Sequence, residues 1–233
     1  MPRAWLLVRP QPHYRRDAFA AGLRACGFEV LTGHPDRPRP EDVCVVWNRY
    51  GQGAAACCAV EAAGGRALVA ENGYIGQDGQ GRQLYAVAIG QHNGGGWWPV
   101  GGPERWSGLG VELAPWRMEG GHILVLPQRG IGPSGVAMPK DWTEVAVRIL
   151  RRKTKRNIVV RPHPGQGIPD RPLYADLLGA WAAVTWGSGA AIKALAAGVP
   201  VFHDMPGWIG APAAMPLDGA DLERPFLCDR RPM

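Results

Sequence analysis

Short apolar runs alternate with helical patterns over residues 4–72. The strand-like runs are 4–8, 28–33, 42–49 and 66–72, and the helical stretches, both closed by glycine, are 15–27 and 52–65. Strands that alternate with helices predict a parallel sheet with helices on both of its faces.

The same alternation resumes in the second half of the chain. Residues 122–130 and 157–165 are each predicted to be a strand and a loop, 141–154 a helix, and 181–202 a strand, a turn, a helix and a strand. The segment 76–115 is rich in Gly, Pro and Trp and is predicted to be loop-dominated. We therefore predict an α/β protein with two small Rossmann-like lobes, 1–115 and 116–233, facing across a cleft, with 76–115 connecting them.

Composition narrows the class of protein. Hydrophobic residues make up 46% of the 233 residues, which is enough for a core, and the 33 Gly and 22 Pro follow no fixed period. No uninterrupted apolar run approaches the roughly 18 residues of a transmembrane segment, so we expect a cytoplasmic protein. The cysteines form no CxxC pair, and we expect reduced core thiols and no metal site. They are Cys26, Cys44, Cys57, Cys58 and Cys228.

The net charge of +6 comes almost entirely from the second half, which has 15 basic and 10 acidic residues against 11 and 10 in residues 1–115. Most of the excess lies in one stretch without acidic residues, which could face the phosphates of a nucleic acid or could be a solvated helix end. The proposed nucleic-acid residues are Arg148, Arg151, Arg152, Lys153, Lys155 and Arg156.

The turn Gly187-Ser188-Gly189 lies between a predicted strand and a predicted helix. The first N–H groups of a helix have no partner within the helix and favour an anion, so this turn is a candidate phosphate site. The alternative is that Ser188 simply caps the helix.

Two further loops follow strands and should lie at the same edge of the sheet. One carries Arg161 and His163 in the segment RPHPG, and the other carries Gln128, Arg129 and Gly130 in LPQRG. An arginine beside a rigidly held imidazole suits a diphosphate. The sequence therefore predicts a nucleotide-sized pocket, but neither a Walker A motif nor GxGxxG is present, which disfavours P-loop enzymes and standard dinucleotide dehydrogenases.

In the first lobe, Glu71 is predicted to end the fourth strand, with Asn72 and Gly73 turning the chain. A carboxylate there could act as a general base, and Asp17 and His13 are competitors for that role. Aromatic and polar residues of the following segment could line an acceptor site by stacking and hydrogen bonding, or the tryptophans could form a hydrophobic plug. The candidates, with Asn72, are His92, Asn93, Trp97, Trp98 and Trp106.

The segments AENGYIG, RPHPG and AAVTWGSGAAIKALAAGVPVF together resemble the two-lobed GT-B glycosyltransferases of the capsular polysaccharide and Kdo/sialyltransferase type. The resemblance implies that Glu71 is the base, that His163 and Ser188 bind the donor phosphates, and that a nucleotide-sugar is the co-substrate with no required cofactor or metal. Asn72 stands where that family commonly has an acid.

The chain is also shorter than typical members of that family, which suggests a minimal enzyme of phage type. Its acceptor could then be a hydroxymethylated pyrimidine in DNA, so that DNA is a possible partner. The alternatives are a capsule or cell-surface glycan acceptor, a sugar-nucleotide epimerase or hydrolase of the same fold, and a non-enzymatic nucleic-acid-binding module.

Overall fold

A computed structural model describes residues 1–77, 81, 83–92, 94–164, 167, 171–219 and 221–223. The chain divides into two compact units. The first comprises residues 1–72, 85–92 and 96–100, and the second comprises the described residues within 73–84, 93–95 and 101–233. None of the helices in the described ranges is long and apolar enough to cross a membrane.

The first sheet has the strand order β2-β1-β3-β4-β5, in which β1 pairs in parallel with β2 and β3, and β3 pairs in parallel with β4. The chain order changes direction between β1 and β3, which makes this the topological switch point of a doubly wound sheet. The elements are β1 Arg3–Leu7, α1 Arg16–Ala25, β2 Glu29–Leu31, β3 Val43–Trp47, α2 Gly51–Ala62, β4 Arg66–Gln77 and β5 Gln83–Ile89.

Alternation along the strands divides the core of the first unit between two faces. Leu6 packs in one cluster with Leu23 of α1, whereas Trp5 packs in the other with Cys57 and Val60 of α2. Both faces of the sheet are therefore covered by a helix, as the run of apolar residues in each strand predicts.

The second sheet has the order β10-β9-β8-β6-β7, and all its pairs are parallel. In chain order this repeats the arrangement of the first sheet, so its switch point lies between β6 and β8. The elements are α3 Glu104–Ser107, β6 His122–Leu126, α4 Trp142–Lys153, β7 Asn157–Val160, α5 Leu173–Leu178, β8 Ala180–Thr185, α6 Gly189–Ala196, β9 Val201–His203 and β10 Met215–Pro216.

The core of the second unit is divided in the same way. Leu124 packs in a cluster with Ala191 and Ala194 of α6, and Ile123 packs in a cluster with Leu150 of α4 on the other face. The predicted fold class, α/β with two mostly parallel sheets, is confirmed.

Two local features differ from the prediction. Most described residues of 76–115 lie outside helices and strands, as predicted, but the segment also contains β5, α3 and an antiparallel bridge between Ile89 and Trp97, which the sequence analysis did not locate. The chain also does not turn at Asn72 and Gly73, because β4 continues to Gln77. A Cβ on Gly73 would lie 2.8 Å from the carbonyl carbon of Leu84, so this glycine permits a close approach of β5 rather than a turn.

The expectation that the cysteines are core thiols is correct for Cys44 and Cys57, which are buried with their Sγ atoms 3.8 Å apart. It is wrong for Cys26 and Cys58, which are exposed. Cys26 is at the end of α1 and Cys58 on the outer side of α2, where an apolar sequence context does not by itself bring a side chain into the core. Cys228 lies outside the described residues.

Candidate functional site

The switch point of the second sheet brings together the loops that follow β6 and β8. These two strands are neighbours, with Leu126 opposite Thr185 at their carboxyl ends. In doubly wound sheets, the crevice at this point is where ligands bind. Because β6 lies between β8 and β7, the loop after β6 is flanked by the loops that carry Ser188 and His163.

Gln128 joins the first of these loops to the turn after β8. Its Oε1 accepts a hydrogen bond from the N–H of Gly187 at 3.0 Å, and its Nε2 donates to the carbonyl oxygen of Gly187 at 3.4 Å. The side chain is only 7% exposed. Gln128 therefore braces the main chain of the turn, a role that the sequence prediction of a donor contact did not include.

Thr185 and Ser188 complete the turn. The hydroxyl of Thr185 donates to the carbonyl of Leu126 at 3.0 Å and accepts from the N–H of Ser188 at 2.9 Å. Ser188 Oγ accepts from the N–H of Ala190 at 3.2 Å, so Ser188 caps α6. The beginning of α6 is thus held at the switch point, where its positive dipole end favours an anion.

Close packing against neighbouring side chains requires glycine on either side of Ser188. A Cβ on Gly187 would lie 2.6 Å from Sδ of Met205, and a Cβ on Gly189 would lie 2.8 Å from Cδ1 of Tyr74. Both distances are shorter than real Cβ contacts, so neither position accepts a larger residue without movement of its neighbours. The glycine pattern that suggested a close approach by phosphate is accounted for by Met205 and Tyr74.

His163 and Arg129 interact across the loops after β7 and β6. Burial lowers the pKa of His163 below its ordinary value, and the positive charge of Arg129 lowers it further. The imidazole is therefore mainly neutral near pH 7. Gly130, next to Arg129, has a φ of +68°, which favours glycine at that position of the loop.

Arg161 has a different environment from the one that the sequence predicted. Its guanidinium donates to the carboxylate of Asp176 and, at 2.8 Å, to the carbonyl oxygen of Arg171. Asp176 is 5% exposed, so this is a largely buried ion pair at α5. The guanidinium of Arg161 is thus already bonded within the second unit.

The base candidates of the first unit lie on separate elements. Glu71 is half-buried within β4, Asp17 is exposed in the first turn of α1, and His13 is exposed in the 3-10 helix Pro12–Tyr14. Asp17 is placed where a negative charge stabilises the positive end of a helix. Asn72, next to Glu71, is exposed.

The acceptor candidates are also dispersed. His92 is 1% exposed, and its Nδ1 accepts a hydrogen bond from the N–H of Arg49 at 3.2 Å. Trp97 is 55% exposed, whereas Trp98 and Trp106 are half-buried. Asn93 lies outside the described residues.

The sequence analysis missed a histidine on the strand next to β8 in the second sheet and a group of aromatic residues around the switch point of the first sheet. His203, the last residue of β9, is 8% exposed, its Nδ1 is 3.2 Å from the carbonyl of Met205, and burial lowers its pKa. In the first unit, Tyr14, Trp47 and Tyr85 surround His13 with ring-centroid distances of 4.9–6.4 Å among the four rings. Aromatic residues directly after a strand, as in VVWN, were the available signal.

The basic stretch lies at the other edge of the second sheet. Its residues occupy the second half of α4 and the connection from α4 to β7, at the edge formed by the amino ends of the strands. Most are exposed, but Arg156 donates to Glu223 at 3.0 Å and lies 4.1 Å above the ring of Trp181. The exposed ones are Arg148, Arg151, Arg152, Lys153 and Lys155.

Among the residues that the structure describes, no group of three or more His, Cys, Asp and Glu side chains could hold a metal ion.

No protein-family model matches the chain, and no curated protein matches it by sequence. Among solved structures, it is similar to KpsC of Thermosulfurimonas dismutans, a beta Kdo 2,7 transferase. The match has a TM-score of 0.53 and 16% identity, and it covers 87% of this chain and 78% of that chain. At this identity the similarity concerns the fold, which is the fold that the resemblance noted in the sequence implies.

Proposed function

We propose that the protein is a glycosyltransferase that uses a nucleotide-sugar donor, bound at the switch point of the second sheet. The observation that carries the proposal is the turn Gly187-Ser188, which Gln128 and Thr185 brace at the beginning of α6. A diphosphate next to this turn would be stabilised by the positive end of the α6 dipole.

Arg129 and His163 would carry the remaining charge of the diphosphate. In transfer, the acceptor oxygen forms a bond to the anomeric carbon, the bond from that carbon to the phosphate oxygen breaks, and the nucleoside diphosphate leaves with the bonding electrons. Groups placed where this negative charge develops lower the barrier to the reaction. Arg129 supplies a permanent charge, and the neutral His163 can donate one hydrogen bond or take up a proton as the charge appears.

The proton of the acceptor hydroxyl would go to Glu71, as the resemblance to GT-B enzymes suggests. Its place within β4 fixes the position of its backbone, and its side chain is half-buried. Asp17 and His13 remain the competing bases.

A saccharide is the acceptor we favour. KpsC is named as a sugar transferase, and its fold is shared, but one fold can host many reactions, so the fold gives only a starting point. A DNA acceptor would need a basic surface near the donor, whereas the exposed basic residues of α4 lie at the opposite edge of the sheet. This placement gives no reason to prefer DNA.

Binding of nucleotide-sugars tests the proposal directly. A thermal-shift screen with UDP-, CMP-, GDP- and TDP-sugars should find at least one that raises the melting temperature, because a ligand that binds only the folded state stabilises it. Replacement of His163 by Ala should then weaken its binding about tenfold or more, and His34→Ala, at an exposed histidine of the first unit, should not.

Four results would count against the proposal. If no nucleotide-sugar binds, or if the double variant Arg129→Ala/His163→Ala binds as the wild type does, the donor site is not where we place it. Hydrolysis of the nucleotide-sugar at the same rate with and without any acceptor would indicate a hydrolase instead. Tight retention on DNA that is lost on Arg151→Glu/Arg152→Glu, without a response to nucleotide-sugars, would indicate a nucleic-acid-binding module.

A further inference from the structure

The switch point of the first sheet carries a group of aromatic side chains that the donor site does not use. We call His13, Tyr14, Trp47 and Tyr85 the aromatic cluster. His13 and Tyr14 belong to the loop after β1, and Trp47 is the last residue of β3, so three of the four lie where the chain order of the sheet changes direction. Crevices of doubly wound sheets bind ligands at such points.

The rings of the aromatic cluster are close together and only partly buried, although Tyr14 also packs against the core cluster of Leu6 and Leu23. The centroid of Trp47 lies 4.9 Å from that of Tyr14, 5.6 Å from that of Tyr85 and 6.1 Å from that of His13. Tyr14, Trp47 and Tyr85 are half-buried and His13 is exposed. Part of this aromatic surface is thus exposed to water, and it would contribute hydrophobic stabilisation only if a ligand packed against it.

The backbone around the aromatic cluster is firmly held. The hydroxyl of Tyr85 donates a hydrogen bond to the carbonyl oxygen of His13, which ties the loop after β1 to β5. Asn48, directly after Trp47, has a φ of +57°, and its N–H donates to the carbonyl of Ala70 at 2.9 Å. A preformed arrangement of this kind lowers the entropy lost when a ligand binds.

The geometry of the rings selects the kind of ligand. Tyr14, Tyr85 and His13 meet the plane of Trp47 at 63–78°, so none of them forms a parallel slot with Trp47 for a flat nucleobase. A pyranose ring has an apolar face of C–H groups, which packs on a single aromatic face, and hydroxyl groups around its edge. The guanidinium of Arg9 lies over the ring of Tyr14, 5.9 Å from its centroid, and is the polar group next to the cluster that could hydrogen-bond to a sugar hydroxyl.

We propose that the aromatic cluster is a binding site for a pyranose ring. It differs from the acceptor residues that the sequence suggested, because it uses neither His92, which is buried, nor Trp97. The inference rests on the proposed function for the source of the ring, which would be the acceptor saccharide. The binding itself can be measured without any transfer reaction.

The test uses saturation-transfer difference NMR and titration with the methyl pyranosides of glucose, galactose, mannose and N-acetylglucosamine, together with free Kdo. At least one should bind, with the strongest saturation at the C–H protons of one ring face. Trp47→Leu should weaken its binding at least tenfold, and His13→Ala about threefold. Tyr50→Ala, an aromatic residue that is 56% exposed and outside the cluster, should leave the dissociation constant unchanged.

Circular dichroism establishes that each variant is folded, and if Trp47→Leu is not, Tyr14→Leu takes its place with the same expected loss. The proposal is overturned if none of the five probes binds, if binding is unchanged in the folded variants, or if cytidine or adenosine displaces the pyranoside at comparable concentration.

Failure of this inference can be told apart from failure of the proposed function. Nucleotide-sugar binding without pyranoside binding at the cluster would retain the donor site and reject this one. If a pyranoside bound in a way that depends on Trp47 but no nucleotide-sugar bound, the pyranose site would be retained and the donor site rejected.

Discussion

Replacement of Gln128 by Leu tests whether this side chain holds the turn after β8. Leucine has a similar volume, so it fills the same space, but it can make neither of the two hydrogen bonds to Gly187. Gly187 is buried, so its N–H and carbonyl groups cannot turn to water instead. The change therefore isolates the hydrogen bonds from the packing.

The structure sets the magnitude of the effect. A buried polar group left without a partner costs ~1–3 kcal/mol, and the bond at 3.0 Å is the stronger of the two that are lost. With a smaller contribution from the bond at 3.4 Å, the free energy of unfolding should fall by about 2–4 kcal/mol. If the turn holds the donor diphosphate, the affinity for the nucleotide-sugar should fall by about tenfold as well, or ~1.4 kcal/mol.

Denaturant unfolding measures the first quantity and calorimetric titration the second. Gln77→Leu makes the same substitution at the exposed end of β4 and should change neither by more than ~0.5 kcal/mol. The bracing role is refuted if Gln128→Leu unfolds at the same denaturant concentration as the wild type. If stability falls but donor affinity does not, the turn is structural only and the donor binds elsewhere.

Three further predictions concern single side chains. Gly189→Ala should destabilise the protein by ~1 kcal/mol, because the Cβ of the new alanine would lie 2.8 Å from Cδ1 of Tyr74. Gly22→Ala in α1 should instead stabilise it by up to ~1 kcal/mol, because nothing lies within 4 Å of that Cβ. Denaturant unfolding of both variants would measure these changes. Asp42 is fully buried, and although burial opposes its ionisation, hydrogen bonds from Arg3 and Arg39 outweigh that effect and hold its pKa well below the ordinary 3.8. The stabilisation from ionised Asp42 should therefore be fully present above about pH 4 and be lost as the pH falls below it. Asp42→Asn should be less stable than the wild type at pH 7, and its stability should depend less on pH in the acid range. Unfolding experiments at a series of pH values would measure both effects. A bound diphosphate should raise the pKa of His163, which burial lowers in the free protein. The affinity for a nucleotide-sugar should therefore increase as the pH falls from 7.5 to 5.5. Titrations at several pH values should show this increase for the wild type but not for His163→Gln.

The alternation of apolar runs and helical patterns was enough to predict the fold class and most of the strands. Within 76–115 it predicted the irregular segments but missed β5, because the surrounding glycines and prolines outweighed the weaker pattern of Gln83–Ile89. It also misplaced the end of β4, since a glycine within a strand and a glycine in a turn look alike in sequence. At Gly73 the difference is made by the main chain of Leu84, eleven residues away, which no local pattern contains.

For the candidate site, sequence order located the loops but not what their side chains do. That Gln128, Gly187 and Ser188 would lie at one edge followed from parallel strands, and the structure brings Gln128 and Gly187 into hydrogen-bond contact. That Arg161 would pair with Asp176 could not be foreseen, because the pairing depends on the tertiary packing of α5, whose Leu173 and Leu177 share a hydrophobic cluster with Val159 of β7. The role of an arginine after a strand is decided by the nearest buried carboxylate.

The two sheets share the same strand order, and this repetition makes a direct comparison of their switch points possible. In the second sheet the side chains of Gln128 and Thr185 hydrogen-bond to main-chain groups at the beginning of α6. The positive end of the α6 dipole at this point favours an anion. In the first sheet the equivalent position is occupied by Trp47 and Tyr14, whose rings are partly in water and suit an uncharged, partly apolar ligand. A transferase needs both kinds of site, one for a charged donor and one for a neutral acceptor. If the proposed donor and pyranose sites are correct, one architecture used twice supplies both, and the difference lies in a few residues at and after the ends of the first and third strands of each sheet.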